Sequence, residues 1–102
     1  MQAYSDPAVV PVIFRCFPGG EVLAVFPSLP GSHDWLRDCC SYQHVGQHGS
    51  CSLDYAQFTQ PATPDEYADL KGELERIGYR LEVVKRRTSP HNAARLAEVS
   101  AT

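Results

Sequence analysis

The residues that could carry chemistry are concentrated between positions 39 and 51. Two adjacent cysteines, Cys39 and Cys40, open this segment, and a third, Cys51, closes it. Between them lie two glycines and the histidines His44 and His48, which are four residues apart. Imidazole and thiolate groups bind transition metals, and imidazole also transfers protons near neutral pH. Local chemistry is therefore to be sought in this segment first.

A zinc site is the sharpest interpretation of these residues. Tetrahedral Zn²⁺ accepts a mixed set of nitrogen and sulfur ligands. A strong zinc signature repeats a short Cys-x-x-Cys unit, however, and neither end of the segment contains one. The same cysteines could instead be small buried hydrophobic residues. Zinc binding, structural or hydrolytic, is the alternative function, and its predicted ligands are Cys39, Cys40, His44, His48 and Cys51.

Enzymatic interpretations meet chemical objections. The spacing of His44 and His48 is that of zinc metalloproteases, which need a helix to aim both rings and a Glu as general base. Gly46 disfavours a helix here, and Gln47 stands where the inverted motif has Glu. A cysteine nucleophile would need a histidine and a carboxylate in a defined geometry, and no local signature supports one. We assign no catalytic residue and expect a protein that is not an enzyme.

The remaining interpretation makes residues 33–50 a surface that contacts another macromolecule. Amide and aromatic side chains provide interface contacts with little charge. Loops displayed by a rigid sheet are a common place for binding. This interpretation requires no cofactor. The predicted contact residues are Trp35, Tyr42, Gln43, His44, Gln47 and His48.

Length and charge limit the possible classes of protein. A chain of 102 residues has room for one domain. The formal net charge of −3 argues against direct nucleic-acid binding, and residues 85–87 form the only basic cluster. No segment has the pattern of a signal peptide or the ~20 apolar residues that cross a bilayer. We therefore expect a cytoplasmic protein without membrane association, whose cysteines are thiols or metal ligands rather than disulfides.

The elements that must position these residues begin with a hairpin. Residues 9–17 and 21–26 are rich in β-branched and aromatic side chains and flank a Pro-Gly-Gly turn. That pattern predicts two antiparallel strands. Alternating side chains predict a third strand at 40–45 and a fourth at 53–58, with residues 46–50 as their connection.

One helix follows with clear end signals. The helix opens with a capping-box sequence, in which Thr63 is the N-cap and Glu66 is the third helical residue. Pro64 occupies the first helical position, where proline is favoured. Gly78 offers the left-handed position that commonly ends a helix. These signals predict a helix from Pro64 to Ile77. The apolar stripe expected to face the sheet is Tyr67, Leu70, Leu74 and Ile77.

The order β-β-β-β-α-β predicts an α+β fold. We expect a small antiparallel or mixed sheet of four to five strands, the last at residues 79–83, with one helix packed on one face. The single domain spans residues 9–87. Residues 1–8 are expected to form a flexible arm. Residues 88–102 are expected to form a tail that includes a short, frayed helix at 93–99.

Four segments together resemble a family of short uncharacterised bacterial proteins from accessory and mobile-element regions of genomes. They are the hairpin 12–27, the stretch Tyr42-Gln43-His44-Val45-Gly46-Gln47-His48, residues 61–70, and Gly78-Tyr79. The likeness covers about residues 11–87. It implies an accessory or anti-defence protein, such as an anti-CRISPR inhibitor, that acts by binding another protein. The leading prediction is a small non-enzymatic binding protein.

Overall fold

The fold is a mixed sheet with helices against it. The computed structural model describes residues 9–31, 38–43, 47–52 and 54–100. The strands are β1 Val9–Cys16, β2 Val22–Pro30, β3 Asp38–Gln43, β4 Gln47–Ser52, β5 Gln60–Pro61 and β6 Arg80–Val83. The helices are α1 Pro64–Arg76, α2 Ser89–Ser100 and a 3-10 helix at Tyr55–Gln57. The predicted α+β class is therefore confirmed.

The hairpin of β1 and β2 lies at the centre of the sheet, as its near-continuous apolar sequence indicates. Ile13 pairs with Val25 in its antiparallel register. The turn closes through two backbone hydrogen bonds of 2.8 Å, from Gly20 N to Phe17 O and from Phe17 N to Glu21 O. Gly20 has a φ of 96°, a conformation that glycine adopts without steric cost.

Strand order runs β4-β3-β2-β1-β5, and β6 also pairs with β1. Residues 9–12 of β1 pair in parallel with β6, whereas Arg15 and Cys16 pair antiparallel with β5. Because α1 connects β5 to β6, it returns the chain to the same side of β1. Three strands, β2, β5 and β6, therefore pair directly with β1.

Two hydrophobic clusters occupy the sheet, since successive side chains of a strand point to opposite faces. The first cluster includes α1, and Phe14 stacks there on Tyr67 with ring centroids 4.3 Å apart. Its buried members are Val12, Phe14, Ala24, Phe26, Tyr42, Leu70 and Leu74. The second cluster consists of Ile13, Leu23, Val25, Cys39, Cys51 and Tyr55.

The predicted capping box of α1 is present. Thr63 Oγ1 accepts a hydrogen bond from Glu66 N at 3.3 Å, and Glu66 Oε1 accepts one from Thr63 N at 2.8 Å. Gly78 follows the helix with a φ of 117°. The apolar stripe was predicted one residue too long, because Ile77 is the C-cap and is 54% exposed. Ile77 follows the last helical residue, Arg76.

The strand predicted at 53–58 is wrong, because the 3-10 helix lies there. The fourth strand is β4, in the segment predicted as a connection. Glycine and serine gave β4 a low intrinsic strand propensity, yet each of its residues pairs with one of β3. Tyr55 then enters the second cluster, and Gln57 N donates to Asp54 O at 2.8 Å.

The C-terminal helix is longer than the sequence indicated. It begins at Ser89 rather than at Ala93. Thr88 caps it: Thr88 Oγ1 accepts from His91 N at 3.4 Å, and His91 Nδ1 accepts from Thr88 N at 3.1 Å. This reciprocal pair has the pattern of a capping box with histidine in place of Glu or Gln, so the usual sequence signal was absent. Arg95, which is 3% exposed, donates from Nη1 to Pro27 O at 3.0 Å and ties α2 to β2.

We predict that the stability of α2 falls as the pH drops. Burial lowers the pKa of His91, although Glu82 opposes this effect. The unfolded chain, with a histidine pKa of about 6.5, then binds the proton more readily than the folded protein. The contribution of His91 is therefore fully present above about pH 6.5 and is lost as the pH falls through the lower, folded pKa. Protonation also removes the Nδ1 acceptor, and losing a cap costs about 1 kcal/mol.

The measurement is the free energy of unfolding by denaturant between about pH 5 and pH 8, with His91→Gln as matched control. Glutamine keeps a capping-box side chain but does not titrate. We expect the decrease at low pH to be smaller in this variant. An identical pH profile in both proteins would contradict the role of His91.

Candidate functional site at the β3–β4 hairpin

The segment with the predicted chemistry forms the hairpin of β3 and β4 at one end of the sheet. Its register runs from Asp38 opposite Ser52 to Gln43 opposite Gln47. Among the strands that the structure describes, β4 pairs only with β3. The hairpin therefore presents one long backbone edge that no described strand covers.

The predicted contact residues fall in three different situations. Trp35 and His44 lie outside the described residues. Gln43 is half-buried at the end of β3, and it pairs with Gln47 at the start of β4. The backbone of His48 pairs with that of Tyr42. The hairpin thus brings together the backbones of all four paired residues at its tip.

Tyr42 belongs to the core rather than to a contact surface. It is 2% exposed and lies in the first hydrophobic cluster. Its hydroxyl donates a hydrogen bond to Glu73 Oε2 on α1. Because a core position with an internal carboxylate partner leaves nothing for an external partner to contact, the predicted surface loses Tyr42. Its role is to attach β3 to α1.

The cysteines of the hairpin occupy both faces of the sheet. Cys39 and Cys51 are directly opposite in the ladder and both belong to the second cluster. Cys39 Sγ donates to Cys51 O at 3.7 Å. Cys40 is half-buried against the first cluster. The sequence pair Cys39-Cys40 is therefore divided by the sheet, while Cys39 and Cys51 are brought together.

The environment of Cys39 disfavours its thiolate. A side-chain hydrogen bond with Cys51 is the largest cause that raises the pKa of Cys39, followed by burial and the proximity of Cys51. The guanidinium of Arg95 acts in the opposite direction. Burial also raises the pKa of Cys40. Since the thiolate is the nucleophilic form, neither residue is activated for nucleophilic catalysis in this conformation.

Only some of the predicted zinc ligands lie in the part of the chain that the structure describes. Within the described ranges no group of three or more His, Cys, Asp or Glu residues could hold a metal ion. Cys39 and Cys51 supply two adjacent sulfurs. His44 lies outside the described part of the chain. Zinc binding through these residues remains a prediction.

Elemental analysis of purified, untagged protein tests this alternative. A zinc site predicts about one equivalent of Zn²⁺ and a loss of thermal stability when a chelator removes it. His44→Ala/His48→Ala should lower the zinc content, since both rings are predicted ligands. Less than ~0.1 equivalent, with a melting temperature indifferent to chelator, would exclude a zinc site.

The sequence did not indicate that Arg15 is buried and holds the segment around Thr59, which follows the β3–β4 hairpin. Arg15 donates from Nε to Thr59 Oγ1 at 2.9 Å and from Nη2 to Thr59 O at 2.8 Å. Its guanidinium lies 5.6 Å from the centroid of the Tyr55 ring. Burial raises the pKa of Tyr55. In the sequence, Arg15 is visible only as the one charged residue inside an otherwise apolar strand. Its hydrogen-bond partner, Thr59, is 44 positions away.

The two edges of the described sheet differ in how well they are protected against pairing with a further strand. Proteins protect exposed strand edges with proline and charged residues. Pro61 lies in β5, and Arg80 and Glu82 lie in β6. The sequence of β4, Gln-His-Gly-Ser-Cys-Ser, contains neither proline nor a charged residue. Its Gly49 is exposed, and among the described residues the atom that a Cβ there would meet within 4 Å is Ser41 Oγ, at 3.8 Å.

Comparison with known proteins assigns no family. No protein-family model matches the chain, and neither a curated protein nor a solved structure matches it. Within the described residues, no helix has both the length and the apolar character needed to span a membrane. Function is therefore inferred from the geometry of the chain itself.

Tyr42→Phe tests the hydrogen bond by which the buried Tyr42 attaches β3 to α1. Loss of a hydrogen bond to a carboxylate should lower the free energy of unfolding by about 2 kcal/mol. Tyr67→Phe is the control, because the Tyr67 ring stacks on Phe14 and no hydrogen bond of its hydroxyl is found in the described structure. Denaturant unfolding measures both variants. Equal stability of the two variants would contradict the structural role of Tyr42.

Proposed function

We propose that this protein is a non-enzymatic binding protein that contacts another protein through the outer edge of β4. An extended segment of the partner adds there as a further strand. The observation that carries the proposal is β4 itself, a six-residue strand at the end of the described sheet without proline or charge. Such an edge is a template for strand addition.

The length of β4 sets the size of the partner segment. At about 3.4 Å per residue, six residues span about 20 Å. Main-chain hydrogen bonds supply affinity in this mode, and side chains on alternate positions supply specificity. Each net hydrogen bond contributes about 1 kcal/mol, so additional side-chain contacts are needed for stable binding.

The edge is held in place by the rest of the fold. Strand β3 pairs with β2 on its inner side and is attached to α1 through Tyr42 and Glu73. A rigid platform limits the conformational entropy that binding removes. This support favours a surface that accepts a strand without rearranging.

The charge of the hairpin limits the chemistry of the partner. Apart from Asp38 at the start of β3, the hairpin contains no Lys, Arg, Asp or Glu. Nucleic-acid binding depends largely on cationic side chains that contact phosphates, which this segment lacks. An uncharged, extended protein segment is the occupant that fits. An anti-defence role, including inhibition of a CRISPR complex, is the form of this proposal that the sequence resemblance favours.

The proposal predicts that a charge in the middle of β4 prevents binding. Gly49→Lys introduces a device by which natural edge strands avoid pairing, and its Cβ fits the available space. Gly49→Ala is the matched control, because it adds a Cβ without charge. A partner captured from host lysate and identified should bind Gly49→Lys at least about tenfold more weakly than Gly49→Ala.

Amide hydrogen exchange on the complex then locates the contact. Binding should protect alternate backbone amides within residues 47–52, namely those that point away from β3 and that the partner strand would cover. Thermal melts of both variants verify that the sheet is retained. Absence of any specific partner, unchanged affinity of Gly49→Lys, or protection confined to another strand would overturn the proposal.

A further inference from the structure

The backbone positions of Cys39 and Cys51 suit a covalent bond between strands. The two residues are directly opposite in the antiparallel ladder. Directly opposite residues have Cα atoms about 4.5 to 5.5 Å apart, depending on the type of pair. A disulfide requires about 4.4 to 6.8 Å. The bond therefore needs no change in strand register.

The side chains of this pair also meet. Both residues belong to the second hydrophobic cluster, with exposed fractions of 0% for Cys39 and 8% for Cys51. Cys39 Sγ lies 3.7 Å from the backbone oxygen of Cys51, and the two side chains interact through a hydrogen bond. Both are thiols in this structure. We propose that Cys39 and Cys51 are a redox modification site and form a reversible intrachain disulfide across the β3–β4 hairpin.

The other two cysteines lack this arrangement. Cys40 is opposite Ser50 in the ladder, and it contacts the first cluster on the other face. Cys16 lies on β1, where its partners are Val22 and Gln60. Among the four cysteines, the register therefore selects one pair.

Access to the oxidant depends on β4. The buried pair reacts slowly while the strand is in place, since reaction needs an accessible thiolate. An end strand with neighbours on one side opens locally more readily than a central strand. While β4 is paired, the hydrogen bond with Cys51 and burial raise the pKa of Cys39, and the Arg95 guanidinium only partly opposes them. Opening of β4 breaks the contact between Cys39 and Cys51 and exposes the Cys51 thiol to the oxidant.

The oxidant is a low-molecular-weight disulfide of the glutathione class. The Cys51 thiolate attacks one of its sulfurs, which forms a mixed disulfide and releases one small thiolate. The Cys39 thiolate then attacks Cys51 Sγ, which forms the Cys39–Cys51 bond and releases the second small thiolate. The protein loses two protons and two electrons, and the small disulfide is reduced to two thiols. No oxidant atom remains on the protein.

The consequence of the bond is a fixed register of β4. It closes a loop between residues twelve positions apart, which restricts the unfolded chain. A slip of one residue would exchange the faces of β4, and the bond forbids that slip. This modification does not depend on the proposed partner, so the two proposals fail independently.

Two full-length variants with equal numbers of cysteines test the inference. Cys16→Ser/Cys40→Ser retains the opposed pair, whereas Cys16→Ser/Cys39→Ser retains Cys40 and Cys51. Each is incubated, folded, with oxidised glutathione, then alkylated in denaturant and weighed by mass spectrometry. We expect the first variant to lose about 2 Da and both alkylatable thiols, to carry no glutathione, and to recover on reduction. Its thermal midpoint should rise on oxidation.

The control variant should retain alkylatable thiols or carry glutathione adducts. Equal disulfide formation in both variants would show that register does not select the pair and would overturn the inference. Retained thiols or stable glutathione adducts in the first variant would do the same. If either variant fails to fold, peptide mapping of the oxidised wild-type chain decides: a bond between Cys51 and Cys39 supports the inference, and any other outcome refutes it.

Discussion

The fold depends on the pairing of β1 on both of its edges. Strand β2 occupies one edge, and β6 and β5 share the other, the first parallel and the second antiparallel. The same strand contributes Val12 and Phe14 to one hydrophobic cluster and Ile13 to the other. Because hydrophobic burial is the dominant favourable term in folding, a strand that joins both clusters stabilises every layer. The helices and the outer hairpin are positioned by that arrangement.

Two buried arginines attach the segment after β4 and the helix α2 to the sheet. Arg15 donates to the side chain and the carbonyl of Thr59, and Arg95 donates to Asn92 Oδ1 and to the carbonyl of Pro27. A buried cation destabilises a protein unless hydrogen bonds compensate for its lost hydration. Here the compensating acceptors are Thr59 on the chain after β4, Pro27 on β2 and Asn92 on α2 itself. These contacts hold the 3-10 segment and α2 in place.

The β3–β4 hairpin combines two separable properties. The backbone edge of β4 faces away from β3 and supports the proposed strand addition. The side chains of Cys39 and Cys51 point into the second cluster and support the proposed disulfide. One property belongs to main-chain groups in the plane of the sheet, the other to side chains on one face. Tyr42 takes part in neither contact directly; its ring and hydroxyl attach β3 to α1 and so support the hairpin.

The sequence by itself determined the elements whose signals are local. The β1–β2 turn and the capping box of α1 each depend on residues within about four positions, and the structure confirms both. Tertiary structure decided the rest. Pairing with β3 made a strand of a glycine- and serine-containing segment and brought Cys39 to Cys51. Packing in the cluster that includes α1 placed Tyr42 in the core. Arg15 and Arg95 found partners 44 and 68 positions away. A local pattern carries no information about such distant partners, because burial and pairing arise only when the chain has folded.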